Sequence, residues 1–149
     1  MSAAATSPAW PAWLELVRRL ADDPELADVA VTPAWSGKAF TANRRVIYGG
    51  SLTSADQIVA TGVAREETAT LEVVCTAWLP GADAGEAIDA ARGLAAVVER
   101  VLAADPGLSQ TVPNFLWAAL GSWSQDYDVD DDGAVGVVIQ KIELHSYLY

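Results

Sequence analysis

Apolar side chains recur with helical spacing in two stretches of the chain. Over residues 11–22 they stand at i, i+3, i+4 and i+7, with charged residues on the opposite side, and Pro24 ends the pattern. Over residues 83–104 the same spacing continues for longer, and Asp83 with Glu86 has the spacing of a capping box at its start. The sequence therefore predicts two amphipathic helices.

Alternation of apolar and polar positions predicts the strands. It is clearest over residues 68–79, where one face is apolar and the other is mixed and carries Trp78. Shorter strands are predicted over residues 29–35 and 44–48. Residues 51–67 carry a weak pattern that fits either a strand or a long loop.

The last third of the chain has the pattern of a long hairpin. Two strand-like stretches, 111–127 and 133–149, flank the acidic turn D-V-D-D-D-G. Since helices are few and strands mostly follow one another, the predicted fold class is α+β: an antiparallel or mixed β-sheet with two α-helices packed on one face and a long C-terminal β-hairpin. We expect one domain over residues 11–149, preceded by a flexible arm over residues 1–10.

Composition narrows the function classes. The chain has 149 residues, one cysteine, one histidine and a formal net charge of -11. One thiol cannot form an internal disulfide, and one cysteine with one histidine cannot supply a zinc site, so we expect no metal and no cofactor. The acidic excess repels phosphate groups, which disfavours adhesive binding to nucleic acid or to an anionic membrane. We also expect neither a signal peptide nor a membrane helix, since no apolar run reaches the roughly 20 residues that a membrane helix needs.

The acidic turn is the first candidate for chemistry. The residues that match the first half of a calcium loop are Asp128, Asp130, Asp132 and Gly133. The second half fails, because Ile139 stands where a bidentate glutamate is needed. Together with Asp131, these carboxylates fit better as the solvated tip of a hairpin.

The tryptophans are the second candidate, because six are many for a chain of this length. We interpret Trp13 and Trp117 as core residues. Trp78 stands on the mixed face of its strand and Trp10 stands in the arm. We therefore expect at least one of these two rings to be buried against another chain, since tryptophan is enriched at interfaces.

The basic residues are the third candidate. Arg44 and Arg45 precede a strand, and with Lys38 and Arg65 they could form one local patch. Solvated charges beside a sheet are one explanation, and ion pairing with an acidic surface on a partner is the other. His145 has no nucleophile near it in the sequence, and no catalytic triad, phosphate-binding loop or pair of catalytic carboxylates is recognisable. We expect no enzymatic activity.

The order and wording of the segments resemble one known family. The chain has an opening helix ending in A-D-D-P-E-L, the strand V-A-V-T-P-A-W, the segment R-R-V-I-Y-G-G and the strand R-E-E-T-A-T-L-E-V-V-C. These are followed by L-P-G, by a helix containing A-A-R-G-L-A-A-V-V-E-R-V-L-A-A-D-P-G-L, and by the closing hairpin. From about residue 13 to residue 149, this layout resembles the tail terminator proteins of long-tailed bacteriophages.

That resemblance implies a structural virion protein. Its subunits would form a hexameric ring on the tail tube, stop tube polymerisation and offer an attachment surface to neck or head-completion proteins. The implied partners are further copies of the chain, the tail tube protein and a neck or head-completion protein. DNA would pass through the ring without being bound specifically. The implied location is the head-proximal end of the virion tail, after assembly in the host cytoplasm.

Family members differ too much for contact residues to be transferred one by one. We expect the interface or the lumen of such a ring to use residues chosen above on composition and pattern: Trp10, Trp78, Arg44, Arg45, Asp128, Asp130, Asp131 and Asp132. Residues Asp128 to Asp132 are expected to lie at a hairpin tip that points toward the lumen or toward an axial neighbour.

Two other functions remain open on the sequence. One is another phage neck protein, such as a head-tail joining or tail-completion component. The other is a small non-catalytic ligand-binding or immunity-type domain, which would work as a monomer or dimer and contain a defined pocket.

Overall fold

A computed structural model describes residues 7–37, 44–58 and 65–148 of the chain. The described residues include two α-helices, α1 (Ala9–Ala21) and α2 (Ala84–Ala104). They also include five strands: β1 (Ala30–Thr32), β2 (Arg45–Ile58), β3 (Arg65–Pro80), β4 (Phe115–Asp130) and β5 (Gly133–Leu148).

The strands form one mixed sheet in the order β1-β2-β3-β5-β4. β1 runs parallel to β2, and the other neighbours are antiparallel. Both helices pack on one face of this sheet, and β4 and β5 form the long C-terminal hairpin. The predicted α+β class and its layered arrangement are confirmed.

The core lies between the helices and one face of the sheet. Alternate residues of β3, among them Leu71, Val73 and Cys75, are buried there. Trp13 of α1 is fully buried, and its indole N–H donates to the carbonyl of Pro33 at 2.9 Å. The prediction that Trp13 is a core residue is confirmed.

Several element boundaries differ from those predicted: β1 covers Ala30–Thr32 rather than residues 29–35, and β4 covers Phe115–Asp130 rather than residues 111–127. Residues 51–58 and 65–67 of the weak segment are strand rather than loop, because β2 and β3 pair from Arg45 opposite Ala77 to Ile58 opposite Arg65, with a register shift between Gly49 and Leu52. Residues 59–64 lie outside the described residues. Cross-strand pairing thus overrides a weak local pattern. Helix α1 begins at Ala9 rather than at residue 11, so Trp10 lies in the helix.

The predicted flexible arm, residues 1–10, lies mostly outside the described residues. Its described end is tied to the sheet by the Ser7 hydroxyl, which donates to the buried carboxylate of Glu67. The Ser54 hydroxyl donates to the same carboxylate at 2.7 Å. Glu67 is therefore a polar link between the start of α1, β2 and β3.

A reciprocal pair of salt bridges joins the ends of the two helices. Arg19 of α1 contacts Asp105, which follows α2, at 2.6 Å. Arg100 of α2 contacts Asp23, which follows α1, at 2.8 Å. Each helix thus supplies the cation for the aspartate that ends the other, which fixes the relative position of the two C-terminal ends.

The turn after α2 has an uncommon backbone conformation. Leu108, Ser109 and Gln110 have φ angles of 51, 54 and 56°, in the left-handed region that non-glycine residues rarely occupy. The carboxylate of Asp105 accepts the backbone N–H of Ser109 at 3.0 Å and its hydroxyl at 2.5 Å. These two bonds stabilise the turn in spite of its strain.

Acid is expected to weaken this turn. The Ser109 hydroxyl, followed by Arg19, lowers the pKa of Asp105 from 3.8 to about 2. Because the folded pKa lies below the unfolded one, the stabilisation is present above about pH 4 and is lost as pH falls to about 2. In urea unfolding, the wild type should exceed Asp105→Asn in stability at pH 7, and the difference should shrink between pH 4 and 2.

An equal difference at every pH would contradict that assignment. Asp89→Asn is the matched control, since Asp89 is exposed on α2. The difference in stability between the wild type and Asp89→Asn should stay the same between pH 4 and 2.

Candidate interaction surface

The distal half of β4 presents exposed aromatic and apolar side chains at the edge of the sheet. A register shift between Leu120 and Trp123 changes which side chains face the helices. Beyond it, Trp123, Tyr127 and Val129 take the helix-side parity, opposite Gln140, Gly136 and Ala134 of β5. They are nevertheless 58, 57 and 51% exposed. This part of the edge strand therefore has an apolar surface that the described chain leaves uncovered.

A shallow cleft separates α2 from this edge. It has a volume of about 230 Å³ and is lined by Arg92, Ala95, Ala96, Glu99, Trp123, Val138 and Gln140. The Arg92 guanidinium lies 5.9 Å from the centre of the Trp123 ring. The amide nitrogen of Gln140 donates to the carbonyl of Ala95 at 3.2 Å. The cleft is smaller than the roughly 300–1,000 Å³ that is usual for small-molecule sites.

The acidic turn forms the tip of the hairpin, as predicted. β4 pairs with β5 down to Asp130 opposite Gly133, so Asp131 and Asp132 form a two-residue connection. One oxygen of Asp130 accepts the N–H groups of Asp132 and Gly133, at 2.8 and 3.1 Å. Asp128 lies two pairs further from the tip than Asp130, and all four aspartates are exposed.

Two carboxylates also bind the backbone of the edge strand. Asp126 accepts the N–H of Tyr127 at 2.7 Å, and Asp128 accepts the N–H of Val129 at 2.9 Å. Amides of an edge strand are available to any other strand that approaches. Here they are occupied by negatively charged groups of the same chain.

The structure separates Arg65 from Arg44 and Arg45, so the possibility of one local patch that includes all four basic residues is wrong. Arg44 and Arg45 are exposed at the start of β2, beside Trp78 and Ala77 of β3. Arg65 begins β3, about 40 Å along the strand from Ala77 at its rise of about 3.3 Å per residue. Lys38 lies outside the described residues.

The tryptophans predicted to contact partners fall in different places. Trp10 is 44% exposed on α1. Trp78 is half-buried on the sheet face opposite the helices. The two rings therefore belong to different layers of the molecule.

The expectation that Trp117 packs in the core is wrong. It is 44% exposed and stacks on His145, with ring centres 3.7 Å apart. A register shift between Phe115 and Trp117 is the reason, because it buries Phe115 and turns Trp117 to the other face of the sheet. Period-two parity in the sequence cannot reveal such a shift.

No metal-binding cluster is present in residues 7–37, 44–58 and 65–148. Within these ranges, no group of three or more His, Cys, Asp or Glu side chains is placed to hold a metal ion. Burial, followed by the charge of Glu99, raises the pKa of the Cys75 thiol to about 12. The thiol is therefore protonated at neutral pH and weakly nucleophilic. No described helix is long and apolar enough to cross a membrane.

Comparison with known proteins gives a fold likeness. The sequence matches no protein-family model and no curated protein. The structure is similar to a solved chain of the "Virion of native gene transfer agent (GTA) particle", with a TM-score of 0.60 and 13% sequence identity. The match covers 90% of this chain and 94% of that chain. At this identity the likeness shows that the two chains share a fold.

Proposed function

We propose that this chain is a structural virion protein that acts as a tail terminator. In this proposal its copies form a hexameric ring on the tail tube, stop tube polymerisation and give the neck or head its attachment surface. The observation that carries the proposal is the fold shared with a gene transfer agent virion chain over nearly the whole length of both. The resemblance of the segment order to tail terminators supports the same function.

The surface of the subunit suits a ring. A ring subunit needs two different contact surfaces, one for each neighbour. The exposed Trp123, Tyr127 and Val129 supply one apolar surface on β4. Trp78 and the residues around it on the helix-free face supply another, and Trp10 on α1 supplies a third for axial partners.

The charge distribution suits a channel for DNA. Five of the acidic residues lie between Asp126 and Asp132, at the hairpin tip and the strand that leads to it. We place the tip, Asp130 to Asp132, toward the lumen or toward an axial neighbour. Carboxylates facing the lumen would repel phosphates, so DNA would pass without being held.

Another neck protein, such as a head-tail joining or tail-completion component, is the second candidate. The same virion likeness favours it, because the likeness is to a chain of the whole particle. The two candidates differ in position, since a terminator lies directly on the last ring of the tube.

The mass in solution tests the ring. For the purified protein, mass photometry together with negative-stain imaging should show rings of six copies, alone or after addition of tail tube protein. A stable monomer that forms no ring under either condition would contradict the proposal.

A further inference from the structure

Opposite charges lie near the two edges of the sheet at the same height, that is, at the same position along the strand direction. The carbonyl of Arg44 accepts the N–H of Trp78 at 2.7 Å, Trp78 pairs with Val135, and Val135 pairs with Asp128. Arg44 and Asp128 therefore lie at opposite ends of one row of residues across the sheet. Two residues along β2, the row through Val46 also ends at Asp126, but it begins at Ala30 of β1, so Arg44 lies just before the part of β2 that β1 covers.

Neither set of charges is neutralised within the part of the chain that the structure describes. There, Arg44 and Arg45 are exposed and form no salt bridge with a carboxylate. The carboxylates from Asp126 to Asp132 likewise have no cationic partner among these residues. Five acids within seven residues repel one another, so a cation supplied from outside would relieve that repulsion.

The β4 edge also favours a basic partner strand over a neutral or acidic one. Asp126 and Asp128 occupy the N–H groups of Tyr127 and Val129, so a neutral or acidic strand meets carboxylates there. A partner with arginines at that height would instead be attracted to them. The exposed rings and methyl groups of Tyr127 and Val129 offer apolar area to the same partner.

We propose that the occupant of the β4 edge is the β1–β2 edge of a second copy of this chain. Asp126 and Asp128 of one copy then face Arg44 and Arg45 of the next. The inference rests on the proposed function and specifies its lateral contact. Two acidic edges repel each other, as do two basic edges, so symmetric edge-to-edge dimers are disfavoured.

The contact is heterologous, because it joins two different edges. Each copy has both edges, so contacts propagate head to tail and close into a ring where the rotation allows it. The charges set the register along the strands, since Arg44 and Asp128 already lie at the same height within each copy.

Charge reversal tests the contact. The first variant is Arg44→Glu/Arg45→Glu and the second is Asp126→Lys/Asp128→Lys. All four side chains are exposed, so both variants should fold, which circular dichroism and thermal unfolding can verify. Each variant alone should raise at least tenfold the concentration at which half of the chains are in rings. The fourfold variant that combines them should restore ring formation.

Mixing the two variants gives a sharper result. A ring in which they alternate restores opposite charges at every junction, so an equimolar mixture should form rings when neither variant does so alone. Asp22→Lys/Asp89→Lys is the matched control for the second variant, with the same change in charge, at exposed positions just after α1 and on α2. It should form rings like the wild type.

The possible results distinguish a failure of the proposed contact from a failure of the proposed ring. Rings from the wild type and equally from both charge-reversed variants would overturn this contact and leave the proposed ring intact. Folded variants that lose rings but regain none on mixing or combination would also overturn it. A wild type that stays monomeric would overturn the ring proposal and the second copy as occupant together.

Discussion

Trp13→Ala is expected to lower the free energy of unfolding by about 3–5 kcal/mol, the usual cost of removing a large aromatic side chain from a core. Trp13 is fully buried, and its indole N–H satisfies the carbonyl of Pro33. The substitution therefore leaves a cavity under α1 and removes one of the two hydrogen bonds to the carbonyl of Pro33, which still accepts the N–H of Gly49 at 3.2 Å. Urea unfolding at pH 7 measures the loss.

Two comparison variants separate the contribution of the indole hydrogen bond from that of ring burial. Trp13→Phe keeps most of the ring volume but removes the N–H donor, while the Pro33 carbonyl keeps its bond from Gly49, so it should cost roughly 0.5–1.5 kcal/mol. Trp123→Ala removes a ring that is 58% exposed and should change stability by less than about 1 kcal/mol. A Trp13→Ala protein as stable as Trp123→Ala would show that the core is not organised around Trp13.

Gly136→Ala is expected to lower the free energy of unfolding by about 3 kcal/mol or more. A Cβ on Gly136 would lie 2.2 Å from the carbonyl oxygen of Ala87 and 2.6 Å from the backbone nitrogen of Ile88. These are backbone atoms of α2, so no side-chain rotation can relieve the clash. The helix must move away from β5, and overpacking of a core typically costs 1–3 kcal/mol, occasionally more.

The chain contains a matched control for this substitution. Gly93 lies within α2, and a Cβ there would have no atom within 4 Å. Gly93→Ala should therefore raise stability by about 0.5–1 kcal/mol through helix propensity. If thermal unfolding shows the two alanine variants shifted in the same direction, the close approach of α2 to β5 is wrong.

The helices were the elements most predictable from the sequence. For α2 the periodicity gave the correct extent, and the expected cap is present, with the N–H of Glu86 bonded to Asp83 at 2.9 Å. Local signals determine such features, because the residues that form the helix and its cap are close in sequence.

The strands were harder to predict because their partners are distant in sequence. Most of segment 51–67 becomes strand only through pairing between β2 and β3. The register shift between Phe115 and Trp117 exposes Trp117, which parity had placed in the core. The alignment of Arg44 with Asp128 depends on three strand registers at once. The sequence patterns indicated both residues as candidates for an interface, but they could not indicate that the two lie in one row across the sheet.

The most direct measurement is the length of tail tubes polymerised from tube protein with and without this chain. The proposed function requires that tubes formed with it be shorter, with a ring of this protein on one end of each tube, which gold labelling of the protein locates in negative-stain images. Tubes of unchanged length, with the label absent from their ends, would contradict the tail terminator account.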